Sequence, residues 1–289
     1  MTPTSLNQNA YVIIASFGIA FIMMSGNMDL SIGYQMSVIG ILVALLVNRL
    51  HMNVVLVIIC GIIFGIVFSL LNWYLSFKLN IPRIMVTFGT MPIFQGLAYV
   101  ISKSKSIGGF TDDFKFFGQG TLFGLNITIP LILVVVFFFA VSFVFNHTYF
   151  GRYVYAMGGN KEAARLAGIS VNKTMIWISV IAGAFLGLAS TILTSRVGAA
   201  MATSAVGTEF TVISGIMLGG VSVRGGEGKL HGVLAGTLII VILANGMQLA
   251  NIDTYYQYVA KGIIMLAAIG YDVFQLKRRS MVKKNARLN

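Results

Sequence analysis

The chain has 289 residues, 57% of them hydrophobic and 10% charged, with a formal net charge of +12 and a mean hydropathy of +0.88. A soluble domain carries about 25% charged residues, so this composition excludes an ordinary soluble globular protein. The basic residues fall mostly in loops and in the tail KRRSMVKKNARLN, which fits the cytoplasmic face of a membrane rather than a nucleic-acid partner.

Uncharged runs set the class. Residues 1–28, 30–48, 50–77, 84–102, 116–151, 174–195 and 232–252 contain no Asp, Glu, Lys or Arg, and a helix crosses a bilayer in about 20 residues. Nine spans follow in chain order, at 10–26, 31–48, 53–76, 84–102, 126–146, 174–195, 206–222, 230–250 and 254–273. The expected fold is an all-α polytopic membrane protein, a single transmembrane domain over residues 1–289 with no linker inside it.

The first span has no positive charge before it, so a cleaved signal peptide is not expected. Asp29 is the only formal charge in residues 1–48. An intramembrane carboxylate is a candidate pathway residue; the simpler account is a helix cap completed by Ser31 and free N–H groups of the next helix. Cys60 sits in an apolar run, as a buried, inert thiol would. Glycines recur four residues apart inside spans, at Gly61 and Gly65, Gly183 and Gly187, and Gly232 and Gly236. Small residues at that spacing let helices approach closely in lipid, here within one chain.

The stretch GRYVYAMGGNKEAARLAGIS, residues 151–170, interrupts the oil with Arg152, Lys161, Glu162 and Arg165. Asn160 suits an N-cap, Lys161 to Ala167 are good helix formers, and Gly168 suits the left-handed position after the helix. Glu162 and Arg165 can pair at i, i+3, leaving Ala163, Ala164 and Ala167 as a small-residue surface. Two turns are marginal alone in water, so the helix either docks into a groove of another protein or lies on its own membrane domain.

Further along, Glu209 follows Gly207 and Thr208 near the expected outer end of span seven, at a candidate helix break; it reads either as a pathway residue or as a carboxylate at a helix N-terminus. GGVSVRGGEGKLHG, residues 219–232, fails as a phosphate-binding loop because Leu230 follows Gly-Lys and Val223 stands where a glycine is needed. It reads as a tight cytoplasmic turn whose glycines permit positive φ. Lys261 lies mid-span, as a structural residue. His51, His147 and His231 fall in separate loops without metal-ligand spacing, and the Asn-x-Thr triplets at 126, 146 and 172 read as chance. Neither a metal, a cofactor nor a catalytic constellation is expected.

Orientation follows the Lys and Arg bias. Six basic residues and no acid follow Leu276, which puts the C-terminus inside. Loops 77–83, 147–173 and 223–229 then share that side, with Lys78, Arg83, Arg152, Lys161, Arg165, Lys173, Arg224 and Lys229. The opposite loops hold Arg49, Arg196 or Asp253 alone, and 103–125 is nearly balanced. The N-terminus is expected outside.

With these residues in view, GRYVYAMGGNKEAARLAGI resembles the signature of permease subunits of ABC importers for ribose, xylose and other simple sugars. GNMDLSIG (26–33) is similar to the family's Gly-Gly-x-Asp-Leu-Ser-x-Gly element, with Asn27 and Met28 as departures. IPRIMVTFGTMPIFQGLAYVIS (81–102), GTEFTVISGIMLGGVSVRGGEGKLHGVLAG (207–236) and YYQYVAKGIIMLAAIGYD (255–272) also resemble family blocks, in the same order. The resemblance implies ten helices, so the family's first helix is expected to be the one not represented. It also implies a coupling helix that docks into an ATP-hydrolysing partner, and Gly159, Asn160, Glu162, Ala163, Ala164, Arg165 and Gly168 are the residues expected to transmit that contact. The implied partners are an ABC ATPase subunit, a second permease copy or paralogue, an extracytoplasmic solute-binding protein and membrane lipid. The implied role is passage of a small neutral polar solute such as a simple sugar. The chain would be no enzyme itself, its ATP being hydrolysed by the partner. The alternative is an ion-coupled secondary transporter, which would place coupling sites at midplane helix breaks and rely on Asp29 and Glu209.

Overall fold

The computed structural model describes residues 3–122 and 127–285. Asn126, with its Asn-x-Thr triplet, and Arg287 of the basic tail lie outside the described residues. Helices dominate: α1 (Pro3–Met24), α2 (Ile32–Leu50), α3 (Val54–Leu79), α4 (Arg83–Ser102), α5 (Asp112–Gln119), α6 (Ile129–His147), α7 (Tyr149–Gly159), α8 (Lys161–Leu166), α9 (Val171–Val197), α10 (Thr208–Leu218), α11 (Leu230–Leu249) and α12 (Thr254–Asn285). Two short antiparallel ribbons complete it. β1 (Ile107–Gly108) pairs with β4 (Ala199–Ala200), and β2 (Thr121–Leu122) with β3 (Ile127–Thr128).

Each expected span is occupied by a helix, and among the described residues seven helices are long and apolar enough to cross a membrane. α12 has 32 residues and carries Lys261 and three tyrosines, Tyr255, Tyr256 and Tyr258, in its first half. α10 has only 11 residues, about 16 Å at 1.5 Å per residue, which is half of the roughly 30 Å hydrocarbon thickness. Span seven, expected over 206–222, is therefore a half-helix. Its N-terminus is set by Gly207 at φ +89°, after the irregular stretch 201–207.

α1, α2 and α9 form the buried centre. Phe17, Phe21, Ile32, Met36, Leu186 and Ile192 pack there in one continuous core. Glycine crossings lock the long helices together. A Cβ on Gly65 of α3 would strike the Gly183 carbonyl of α9 and come within 2.7 Å of the Gly187 nitrogen. A Cβ on Gly187 would strike the Gly61 carbonyl. Gly215 and Gly219 of α10 and its end meet Gly232 and Gly236 of α11 in the same manner. All three sequence pairs thus serve packing within the chain. Gly187→Val is accordingly expected to push α3 and α9 apart, and overpacking of this kind costs about 1–3 kcal/mol or more. Thermal unfolding in detergent would show it as a fall in midpoint, and an unchanged midpoint would refute this close packing.

The two ends of the bundle are distinct. At one end Arg196 hydrogen-bonds the Gln8 carbonyl, Asn48 donates to the Gly108 carbonyl at 2.6 Å, Gln119 donates to the Arg196 carbonyl at 2.8 Å, and Asn9 donates to Asn245 at 3.3 Å. The turns after α1, α3 and α10 and the α7–α8 segment gather at the other end.

Candidate functional site

At that second end the charged insertion builds two helices where one was expected. Thr148 caps α7, its hydroxyl accepting from the Gly151 N–H at 3.2 Å. Gly151, Val154 and Met157 recur every three residues and are buried, so tertiary packing holds a segment whose glycines read as loop. On the open side the Arg152 guanidinium lies 4.3 Å from the centre of the Tyr149 ring. The Tyr155 hydroxyl donates to the Gly228 carbonyl at 2.9 Å, and burial pushes its phenol above the usual range.

α8 follows after one extended residue. The Asn160 side chain accepts from the Ala163 N–H at 2.9 Å, an N-cap as its residue type foretold. At the other end the Ile169 N–H returns to the Ala164 carbonyl and the Gly168 N–H to the Arg165 carbonyl, both at 3.0 Å, with Gly168 at φ +87°. These two bonds are a Schellman closure. Glu162 and Arg165 pair at 3.2 Å on the exposed face. Ala164 is buried, whereas Ala163 and Ala167 are exposed. Leu166, which sequence reasoning passed over, is 85% exposed.

Glycine backbone fastens this helix to the membrane domain. A Cβ on Gly158 would collide with the Met24 carbonyl and the Gly226 nitrogen, and the Gly226 N–H donates to the Met24 carbonyl at 2.8 Å. Gly225 and Gly226, at φ +81° and +75°, lie against Gly26, Gly158 and Gly159. Residues 219–232 form the turn expected of them, packed beneath the insertion. A cavity of about 910 Å³ opens between α8, the α3–α4 turn and the α1–α2 corner, with Asn27, Phe77, Pro82, Lys161, Arg165 and Arg224 in its wall.

Asp29 sits behind this cavity at 0% exposure. Its Oδ1 accepts from the Ser31 N–H at 3.0 Å and the Ser31 hydroxyl at 2.6 Å, so the cap geometry is present. Its Oδ2 accepts from Arg83 Nη2 at 3.1 Å. Arg83 is no loop charge: it is 2% exposed, and donates as well to Ser179 at 2.7 Å and Ser69 at 3.1 Å. Asn72 donates to Ser31 at 2.9 Å and accepts from Thr90 at 2.9 Å, extending the network through α3 and α4.

Glu209 is buried. It is 1% exposed at the start of the half-helix α10, and both carboxylate oxygens accept from the Gly207 N–H at 3.1 Å. Gly33, in the first turn of α2, is pressed against the same carboxylate and the Ala205 carbonyl. The helix break expected there is present, and Glu209 stands in the first turn of the helix that follows it. Among the described residues, no three His, Cys, Asp or Glu side chains gather as a metal site.

The family model described as branched-chain amino acid transport system / permease component matches residues 1–269. The chain is 39% identical over 265 residues to the L-arabinose transport system permease protein AraH of Escherichia coli K12, covering 92% of this chain and 80% of that one. It is 38% identical over 269 residues to the ribose import permease protein RbsC of Bacillus subtilis, covering 92% and 83%. The Escherichia coli K12 ribose import permease RbsC is 30% identical over 271 residues, covering 92% and 84%. No solved structure matches the chain.

Proposed function

This chain belongs to the family of branched-chain amino acid transport system permease components, and we propose that it forms the translocation pathway for a small neutral sugar in an ATP-driven importer. It is a multi-pass membrane permease, and relatives matched over nine-tenths of its length carry L-arabinose or ribose in their names. The cargo assignment rests on those names and on the scarcity of charge inside the bundle. A pentose needs hydrogen bonds and ring contacts, not a counter-ion.

The observation that carries the mechanism is α8. A two-turn helix closed by its own caps at both ends, offering Leu166 and the Glu162–Arg165 pair outward, has the form of a helix that sits in another protein's groove. We assign that groove to a separate ATPase subunit, with Gly159, Asn160, Glu162, Ala163, Ala164, Arg165 and Gly168 as the transmitting residues. Gly158 and Gly159 sit backbone to backbone with Gly225 and Gly226, so motion of α8 is passed to the ends of α1 and α10. A second permease completes the pathway, a solute-binding protein delivers cargo to the opposite end, and the bundle switches its open side by rigid-body movement.

The end bearing α8 is assigned to the cytoplasm, with the N-terminus outside. Lys78 over Tyr74, Arg152 over Tyr149 and exposed Trp177 support this, as basic and aromatic residues gather at that membrane interface. The expected result of purifying the tagged chain from its native host in mild detergent is an ATPase subunit in near-equal amount, identified by mass. Recovery of the chain without any ATPase would overturn the importer assignment and favour an ion-coupled carrier.

A further inference from the structure

Two helix N-termini meet inside the bundle. α10 starts about 16 Å from the cytoplasmic turn at 219–229, by its 11 residues. α2 starts after the non-helical stretch 27–31, which carries the chain inward from Gly26, and its first-turn Gly33 meets the start of α10. The Glu209 carboxylate lies between these two N-termini, where the partial positive charge of both helix ends favours an anion. At 1% exposure and with its oxygens on backbone, it is a structural clasp and is not open to cargo.

What the clasp holds is a group of partly open side chains. Tyr34 is the one residue of Ile32–Ile41 that is not buried. The Tyr258 ring lies across the break, so close that a Cβ on Gly207 would come within 2.7 Å of it. Lys261, one turn further along α12, holds its ammonium 5.7 Å from the centre of that ring. Tyr34 directly follows Gly33, which is pressed against the Glu209 carboxylate. Discontinuous helices near the midplane are where carriers build solute contacts, and ionisable groups at that depth are expensive unless they serve passage.

We propose that Tyr34, Tyr258 and Lys261 form a mid-membrane contact site for a neutral polyhydroxylated solute, seated over the Glu209 clasp. The chemistry selects that class. Two phenol rings offer flat faces to the C–H face of a sugar ring, and two hydroxyls and an ammonium offer directional bonds to its hydroxyls. A cation would need an accessible carboxylate, and Glu209 is sealed. An anion would meet a single ammonium beside that carboxylate. The inference rests on the importer reading above.

The test uses cells that lack their own arabinose and ribose uptake and carry the complete transporter, with radiolabelled L-arabinose and D-ribose as probes. Tyr34→Ala and Tyr258→Ala are expected to lower uptake at least tenfold at unchanged membrane level. Tyr34→Phe, Tyr258→Phe and Lys261→Gln keep the side-chain bulk, and are expected to change the arabinose-to-ribose uptake ratio at least threefold. A purely structural role would lower both sugars in proportion, and that outcome overturns the site, as does normal uptake by the alanine variants. Should the alanine variants fail to reach the membrane, the conservative set decides by its ratio alone. Uptake of neither sugar by the unmodified protein would instead overturn the sugar reading itself, and the site's ligand with it.

Discussion

Arg83→Met is expected to be among the most damaging single substitutions in the chain, although the sequence places Arg83 at a loop between two spans. Asp29 would keep its Ser31 bonds and lose its Arg83 partner, while sealed at 0% exposure. Breaking a buried pair from one side costs about 3–5 kcal/mol, because the remaining buried charge has neither water nor a counter-ion. For a domain of this size that corresponds to a fall of about 10 °C in the unfolding midpoint. The Arg83 guanidinium also bridges Ser69 of α3 and Ser179 of α9, so three helices and the α1–α2 corner lose a common tie. The double variant Asp29→Asn, Arg83→Gln removes both charges and retains hydrogen-bonding groups, and it is expected to recover more than half of the lost midpoint. Fluorescence-detected size exclusion after heating in detergent measures both. An Arg83→Met protein as stable as the parent, or a double variant worse than the single, would show that the pair contributes nothing.

How much of this was legible in sequence depends on the range of the force involved. Helices with uncharged, apolar runs were legible because each satisfies its own backbone in lipid, so length and hydropathy suffice. The α8 caps were legible for the same local reason: Asn160 and Gly168 act on groups within a few residues. Glycines four apart announced a close crossing, although the pairing of Gly61 and Gly65 with Gly183 and Gly187 needed the fold. The failures are long-range. Arg83 follows Pro82 at a helix start and reads as a positive loop residue; its burial is set by Asp29, 54 positions earlier. Residues 206–222 read as one span with a candidate break at Gly207–Glu209; the break is there, but hydropathy carries no record that the helix after it has only 11 residues. The start is fixed by Gly207 in the left-handed region and by the contact between Gly33 and Ala205. α7 was read as loop, and only burial of Val154 and Met157 makes it helical. Leu166 carries the opposite lesson. The sequence assigns this leucine no role, because its exposure is visible only once the neighbours are placed.

That exposure makes the sharpest test of the docking assignment. Leu166→Asp changes a side chain that the isolated protein barely packs, so insertion and thermal midpoint should stay within error of the parent. If the leucine fills a pocket of the ATPase subunit, its loss is that of an interface hot spot, about 2 kcal/mol or more, or about 30-fold in partner affinity. Glu162→Lys should act likewise, since an exposed i, i+3 pair adds little to folding and reversal places two cations together at the contact. Ala164→Pro reaches the same end by another route. It removes the Ala164 N–H that donates to the Asn160 carbonyl at 2.9 Å, and proline inside a helix costs about 3 kcal/mol. A six-residue helix has no reserve to absorb that, so α8 should open while the long spans remain. All three variants are expected to reach the membrane, lose most of the co-purified ATPase and import little sugar. Normal transport by a well-inserted Ala164→Pro protein would remove α8 from the coupling pathway. Loss of partner with Ala164→Pro alone, and not with Leu166→Asp or Glu162→Lys, would place the contact on the backbone path from Gly158 to Gly168 rather than on the exposed side chains.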